Sequence, residues 1–228
     1  MPDQITLRNG IPVSLRRSAR ARRMVLRVAR TDGAVMLTLP GRASLAEAQA
    51  FVETKAGWVE RVRANLPAAQ VVAPGAVLPV EGRDLILTPA SVRSAAIDGP
   101  NLLIPHGRPA GPVVAAFLKH LAQARLAPAC DRHAEALGRG FSAIALRDTR
   151  SRWGSCTSAG RLMFSWRLAM APHPVLDYVA AHEVAHLAHM DHSPRFWATV
   201  ARLCPDHARQ RGWLRQHGPS VQAWRFRD

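Results

Sequence analysis

Short apolar runs broken by turn signals fill the first hundred residues, and longer helical patterns take over after them. Asn9-Gly10 between two apolar runs predicts a β-hairpin over residues 5–15. A second strand pair is expected at 24–28 and 35–39, joined by Thr31-Asp32-Gly33. Ser44-Leu45-Ala46-Glu47 has capping-box spacing and opens one helix running to about residue 65. Residues 67–79 read as a linker or irregular turn. Two further hairpins are centred on Glu81-Gly82-Arg83 and on Asp98-Gly99-Pro100-Asn101. A long helical segment begins at Gly111-Pro112, with Pro128 placed to kink or divide it. Strands at 141–146 and 161–168 flank Trp153-Gly154-Ser155-Cys156, and the pattern is helical from Pro172 onward. No internal repeat is visible. A β-rich N-terminal half, residues 1–109, followed by a helix-dominated half with a short sheet, residues 110–228, predicts the α+β class.

Composition narrows the setting. No apolar run approaches the ~18 residues of a membrane span, and the N-terminal residues lack the apolar stretch of a signal peptide. Cys130, Cys156 and Cys204 are odd in number and widely spaced, which argues against a disulfide framework and for a reducing, cytoplasmic setting. The formal net charge is +15, and Lys55 and Lys119 are the only lysines among 31 basic residues. Such a balance favours acidic partners. Arg16, Arg17, Arg20, Arg22, Arg23, Arg27 and Arg30 crowd one stretch without an acid, so a polyanion-attracting surface is expected there, with nucleic acid as its partner.

The candidate chemistry lies in His182-Glu183-Val184-Ala185-His186. Val175, Leu176, Val179, Ala180, Val184 and Leu187 make its surroundings an apolar helix, on which residues four apart share one face. Two imidazoles and a carboxylate are costly to bury there without a partner, and Zn²⁺ supplies one. His182 and His186 then become metal ligands. Glu183 sits beside the metal as the general base that takes a proton from water. All other glutamates precede the motif, so a later glutamate as third ligand is excluded. His189, Asp191, His192, Asp206 and His207 remain. His189 lies too nearly in line along the same helix, whereas six residues separate His192 from His186, enough for the chain to turn back. Spacing therefore favours His192, with Asp206 as runner-up. Gly154 reads as a turn residue, Cys156 as a small buried thiol, and Trp153, Trp166, Phe196 and Trp197 as core anchors. Tyr178, one turn before His182, and Arg152 are candidates for contacting substrate.

The run Arg152-Trp153-Gly154-Ser155-Cys156, then Tyr178-Val179, then His182-Glu183-Val184-Ala185-His186-Leu187, then His192-Ser193-Pro194-Arg195-Phe196-Trp197 resembles the YgjP-like metallopeptidases, relatives of SprT and the WLM-type zinc proteases. Ser165 is one departure, since the family more often has asparagine there. The resemblance implies a small zincin-like catalytic domain, one zinc per chain, His192 as third ligand and a protein or peptide substrate. The expected function is therefore a zinc metallopeptidase. The basic charge keeps two others in view: a metal-dependent hydrolase of nucleotides or other phosphate esters, and a nucleic-acid-associated protein with a structural zinc.

Overall fold

The computed structural model describes residues 4–29, 32–149 and 152–226. The chain divides into two compact units, Met1–Ala69 and Gln70–Asp228. The sequence placed its boundary at 109/110, forty residues later than this break. The reason is packing: the strands of residues 77–105 bury Leu78, Val80, Leu85, Leu87, Leu102 and Ile104 in the same core as the C-terminal helices.

In the first unit, β1 (Gln4–Thr6) and β2 (Pro12–Ser18) form the expected hairpin, with Gly10 in the left-handed conformation its turn requires. β3 (Val25–Val28) pairs antiparallel with β4 (Val35–Pro40), and β2 and β4 run parallel at the centre of a β1-β2-β4-β3 sheet. Thr31 in the expected connection lies outside the described residues. Two helices follow, α1 (Leu45–Glu53) and α2 (Ala56–Ala64), where a single one was expected. The Ser44–Glu47 capping box is present. The break comes where the Thr54 hydroxyl donates to the Phe51 carbonyl and Lys55 N–H bonds only three residues back, to Val52. Alternation along the strands sends Val13, Val35, Leu37 and Leu39 inward against Ala48, Val52 and Val59.

The second unit begins with β5 (Gln70–Val71), which pairs parallel with the last strand, β13 (Trp224–Arg225). Then come β6 (Val77–Val80), β7 (Arg83–Ala90), β8 (Ala96–Asp98) and β9 (Asn101–Pro105). β5 and β6 thus occupy part of the expected linker. These four strands make a β6-β7-β9-β8 sheet with an antiparallel, a parallel and an antiparallel pairing in turn, the same order and directions as β1-β2-β4-β3. In each case the fourth strand ends in proline and a helix starts five residues on: α1 after Pro40, and α3 (Ala110–Leu137) after Pro105. Each helix buries a pair four residues apart, Ala48/Val52 and Val114/Leu118, with a phenylalanine one position before the second member, Phe51 and Phe117. The chain therefore carries a structural repeat that its sequence does not display. Strand pairing conserves only inward alternation, which many residues satisfy.

α3 runs through Pro128 without division and ends at left-handed Gly138. Proline removes a single N–H from the ladder, and a 28-residue helix packed along one core keeps the rest. β10 (Ala143–Arg147), β11 (Gly154–Cys156) and β12 (Arg161–Ser165) form the short sheet, with β12 central, β10 parallel to it and β11 antiparallel. A 3₁₀ turn, Trp166–Met170, leads into α4 (His173–Ala185), α5 (Pro194–Leu203) and α6 (His207–Ala223). This is the α+β class expected. Among the described residues, no helix is long and apolar enough to cross a membrane.

Helix α4 is fixed to α3 by an ionic cluster. Asp177 accepts from Arg132 at 2.8 Å and lies 3.2 Å from His133 Nε2. Burial raises the Asp177 carboxyl pKa, but the His133 hydrogen bond and the charges of His133, Arg132 and His173 outweigh it and leave it below the ordinary value. A carboxylate whose pKa is lowered on folding stabilises the fold above its unfolded pKa of about 4, and that stabilisation is lost as pH falls through the lowered value. Asp177→Asn is therefore expected to cost about 1–2 kcal/mol at neutral pH and almost nothing in strong acid. Denaturant melts at the two pH values check this.

Candidate metal centre

Helix α4 is apolar nearly all round because α3, α5, α6 and β11 pack about it. His182 falls on its last turn and His186 is its C-cap residue, so the two rings lie one above the other with centroids 5.0 Å apart. The chain then reverses. Asp191 Oδ1 accepts from Ser193 N–H, Ser193 Oγ accepts from Phe196 N–H, and Pro194 opens α5 at its first position. That reversal carries His192 back to His182, Nε2 to Nε2 at 3.2 Å. One nitrogen from each of His182, His186 and His192 lies within 4.8 Å of the others.

The donor set fits a divalent metal. Two nitrogens ligating one tetrahedral zinc at ~2.05 Å stand about 3.3 Å apart, close to the His182–His192 spacing. His186 Nδ1 hydrogen-bonds the His189 carbonyl at 2.9 Å, which assigns its proton to Nδ1 and leaves Nε2 with a free lone pair. Burial, with the charges of His186, His192 and Arg211, pushes the His182 pKa down to about 3, so its imidazole is neutral and able to ligate. His182 Nδ1 is buried without a hydrogen-bond partner, so its Nε2 edge is the one with something to bind. Phe196, fully buried, stacks on His186 at 4.4 Å between centroids, and Trp197 lies 5.7 and 5.9 Å from His182 and His192. His192 is exposed, so the cluster opens to solvent on its side.

Glu183 stands beside the triad without joining it. It is 5% exposed, and burial pushes its carboxyl up to about 8 against the opposing charge of Arg152. Its neighbour on β11 is Gly154. A Cβ at that position would lie 2.6 and 2.7 Å from Glu183 Cγ and Cδ, closer than atoms can pack. Gly154 does not adopt a positive φ. The turn role expected for it is therefore not the reason for glycine here; the reason is space for the carboxylate.

The other candidates sort by place. His189 contributes its backbone carbonyl, which any residue would supply. Asp206 is the N-cap residue of α6, and the His207 ring lies against Trp197 at 6.1 Å; neither joins the triad. Cys156 donates to the Thr157 carbonyl, and burial followed by the Glu183 charge raises its pKa, which keeps the thiol protonated. Trp166 and Phe196 are buried anchors as expected, whereas Trp153 and Trp197 are half-buried. Ser165 is fully buried, with no hydrogen-bond partner for its hydroxyl. Tyr178 is 5% exposed, 6.0 Å from His182 ring to ring, and burial raises its pKa against the charge of Arg211. Arg211, stacked 4.6 Å from the Trp197 ring, is a cation at the site that sequence reasoning missed. Nothing distinguishes it from Arg209 and Arg215 on the same helix until α6 is packed.

Three convergent imidazoles next to a buried, unligated carboxylate on one helix fit the class of metal-dependent hydrolases. The family model of the YgjP-like metallopeptidase domain matches residues 22–217, and the chain belongs to that family. Among solved structures, the metallopeptidase zymogen abylysin of Pyrococcus abyssi matches 40% of this chain and 93% of its own length, at 18% identity and a TM-score of 0.36. No curated protein sequence matches significantly.

Proposed function

We propose that the protein is a zinc-dependent peptidase in which His182, His186 and His192 hold the metal and Glu183 is the general base. The observation that carries this reading is the Glu183 carboxylate, buried beside the triad in space that Gly154 leaves open. A zinc ion held by the three imidazoles would polarise the scissile carbonyl and bring a water's pKa to about 7. A cation bound beside Glu183 would offset the burial that raises its pKa and favour the ionised carboxylate, which would then accept a proton from the water and return it to the leaving amine. The apolar wall around it keeps solvent from competing for that proton. Tyr178, kept protonated by burial, offers a hydroxyl donor to the developing oxyanion, and exposed Arg152 offers a cation to a substrate carboxylate. Three ligands with an exposed side suit catalysis better than a closed structural site. The cysteines all stand free, in keeping with a reducing cytoplasm. Zinc-loaded protein is expected to cleave casein and leave oligonucleotides and nucleoside triphosphates intact; the opposite outcome overturns the peptidase reading.

Gly154 offers a test that needs no substrate. Gly154→Ala should lower the unfolding free energy by about 1–3 kcal/mol, the usual cost of overpacking. In a Glu183→Ala background the same substitution should cost almost nothing, because the clashing atoms are gone. A full cost in both backgrounds would show that Gly154 does not act through Glu183.

A further inference from the structure

Unit Met1–Ala69 holds twelve basic and five acidic residues, and its three glutamates are turned to local tasks. Glu47 caps α1, Glu53 accepts from Arg8 N–H and Gln49, and Glu60 accepts from Asn9. Arg17 is also engaged, donating to the Gly41 and Ala43 carbonyls. Among the described residues, Arg16, Arg20, Arg22, Arg23 and Arg27 have no ion-pair partner; Arg30 lies outside them. Between edge strand β3 and the α1–α2 helices runs an open groove of about 620 Å³. Leu26 and Phe51 form its apolar wall, Lys55 and Arg61 stand at its sides, and none of its lining residues is acidic. Trp58 lines it with 39% of its surface exposed, an indole that the core does not use.

The structural repeat supplies an independent observation. In the second sheet–helix unit a groove of about 630 Å³ lies against the start of α3, lined by Phe117 at the position equivalent to Phe51. Arg93, Ser94, Arg108 and His120 are its polar members, and again no acid lines it. Both grooves thus hold a phenylalanine at the equivalent helix position beside basic residues, while the exposed indole belongs to the first groove alone.

We propose that the Trp58 groove is a binding site for single-stranded nucleic acid. Lys55 and Arg61 meet phosphates, and an unpaired base stacks on the Trp58 indole. Charge selects a polyanion, and the exposed ring selects one whose bases are free to stack, which excludes a paired duplex.

The test is fluorescence anisotropy of a labelled oligothymidylate with the full chain, titrated against salt. Wild-type protein is expected to bind at low salt, with affinity falling steeply as salt rises. Trp58→Ala should weaken binding by about tenfold or more at an unchanged salt slope. Trp58→Phe, which keeps a ring and most of the packing, should recover part of it. Lys55→Gln/Arg61→Gln should flatten the slope by up to about 1.4, the share of two phosphates on a single strand. Equal affinity for duplex DNA or for polyglutamate would overturn the proposal, as would Trp58→Ala and Trp58→Phe proteins that bind like wild type. Absence of wild-type binding at low salt would also sink it.

Discussion

Glu183→Gln is expected to keep its fold and its metal while losing turnover by about two or more orders of magnitude, the usual contribution of a positioned general base. Glutamine has nearly the shape of glutamate, so it fits the space opposite Gly154 and leaves the three imidazoles in place. What it lacks is a basic carboxylate to receive the proton. The measurement is turnover on a peptide substrate together with bound metal per chain. Loss of metal with loss of activity would make Glu183 a structural element of the site, and unchanged turnover would remove it from the mechanism.

The second large effect concerns the third ligand. His192→Ala should weaken zinc binding by more than about 100-fold, since even partners outside the ligand set typically cost 10–100-fold. His189→Ala should leave affinity nearly unchanged, because His189 meets the site through its main-chain carbonyl. Competition with a chelator of known affinity separates the two variants. Tight binding by His192→Ala would reopen Asp206, which the fold places at the N-cap of α6. The comparison also tests the turn at residues 186–193, since His192 is delivered there by Asp191, Ser193 and Pro194 rather than by helical spacing.

Much of this site was legible beforehand because local geometry wrote it. A pair of histidines four apart on an apolar helix must share a face. A capping serine followed by proline must start a new helix near residue 194. These features depend on neighbours within a few residues, and the structure has α4, the reversal and α5 where that logic puts them. The hairpins at Asn9-Gly10 and Asp98-Gly99 were readable for the same reason.

Other features depended on contacts between distant parts of the chain. A helix break at Thr54 rests on one side-chain hydrogen bond and a shortened backbone bond, too slight a signal to outweigh the surrounding helical pattern. The division at 69/70 was invisible because strands 77–105 have the same β-like pattern as strands 4–40, and only their shared core with α3 separates the two sets. The repeated sheet order escaped detection because pairing direction is set across the sheet, not along the strand. Gly154 is the sharpest case. Its sequence context suggested a turn, while its actual constraint comes from a carboxylate 29 residues away on another element. The sequence by itself determined the fold class, the helix that bears the two histidines and the chemistry those side chains favour. Only the tertiary structure decided what leaves room for Glu183 and which arginines remain without a partner, because each of these is a question of distance between residues that the chain's linear order does not bring together.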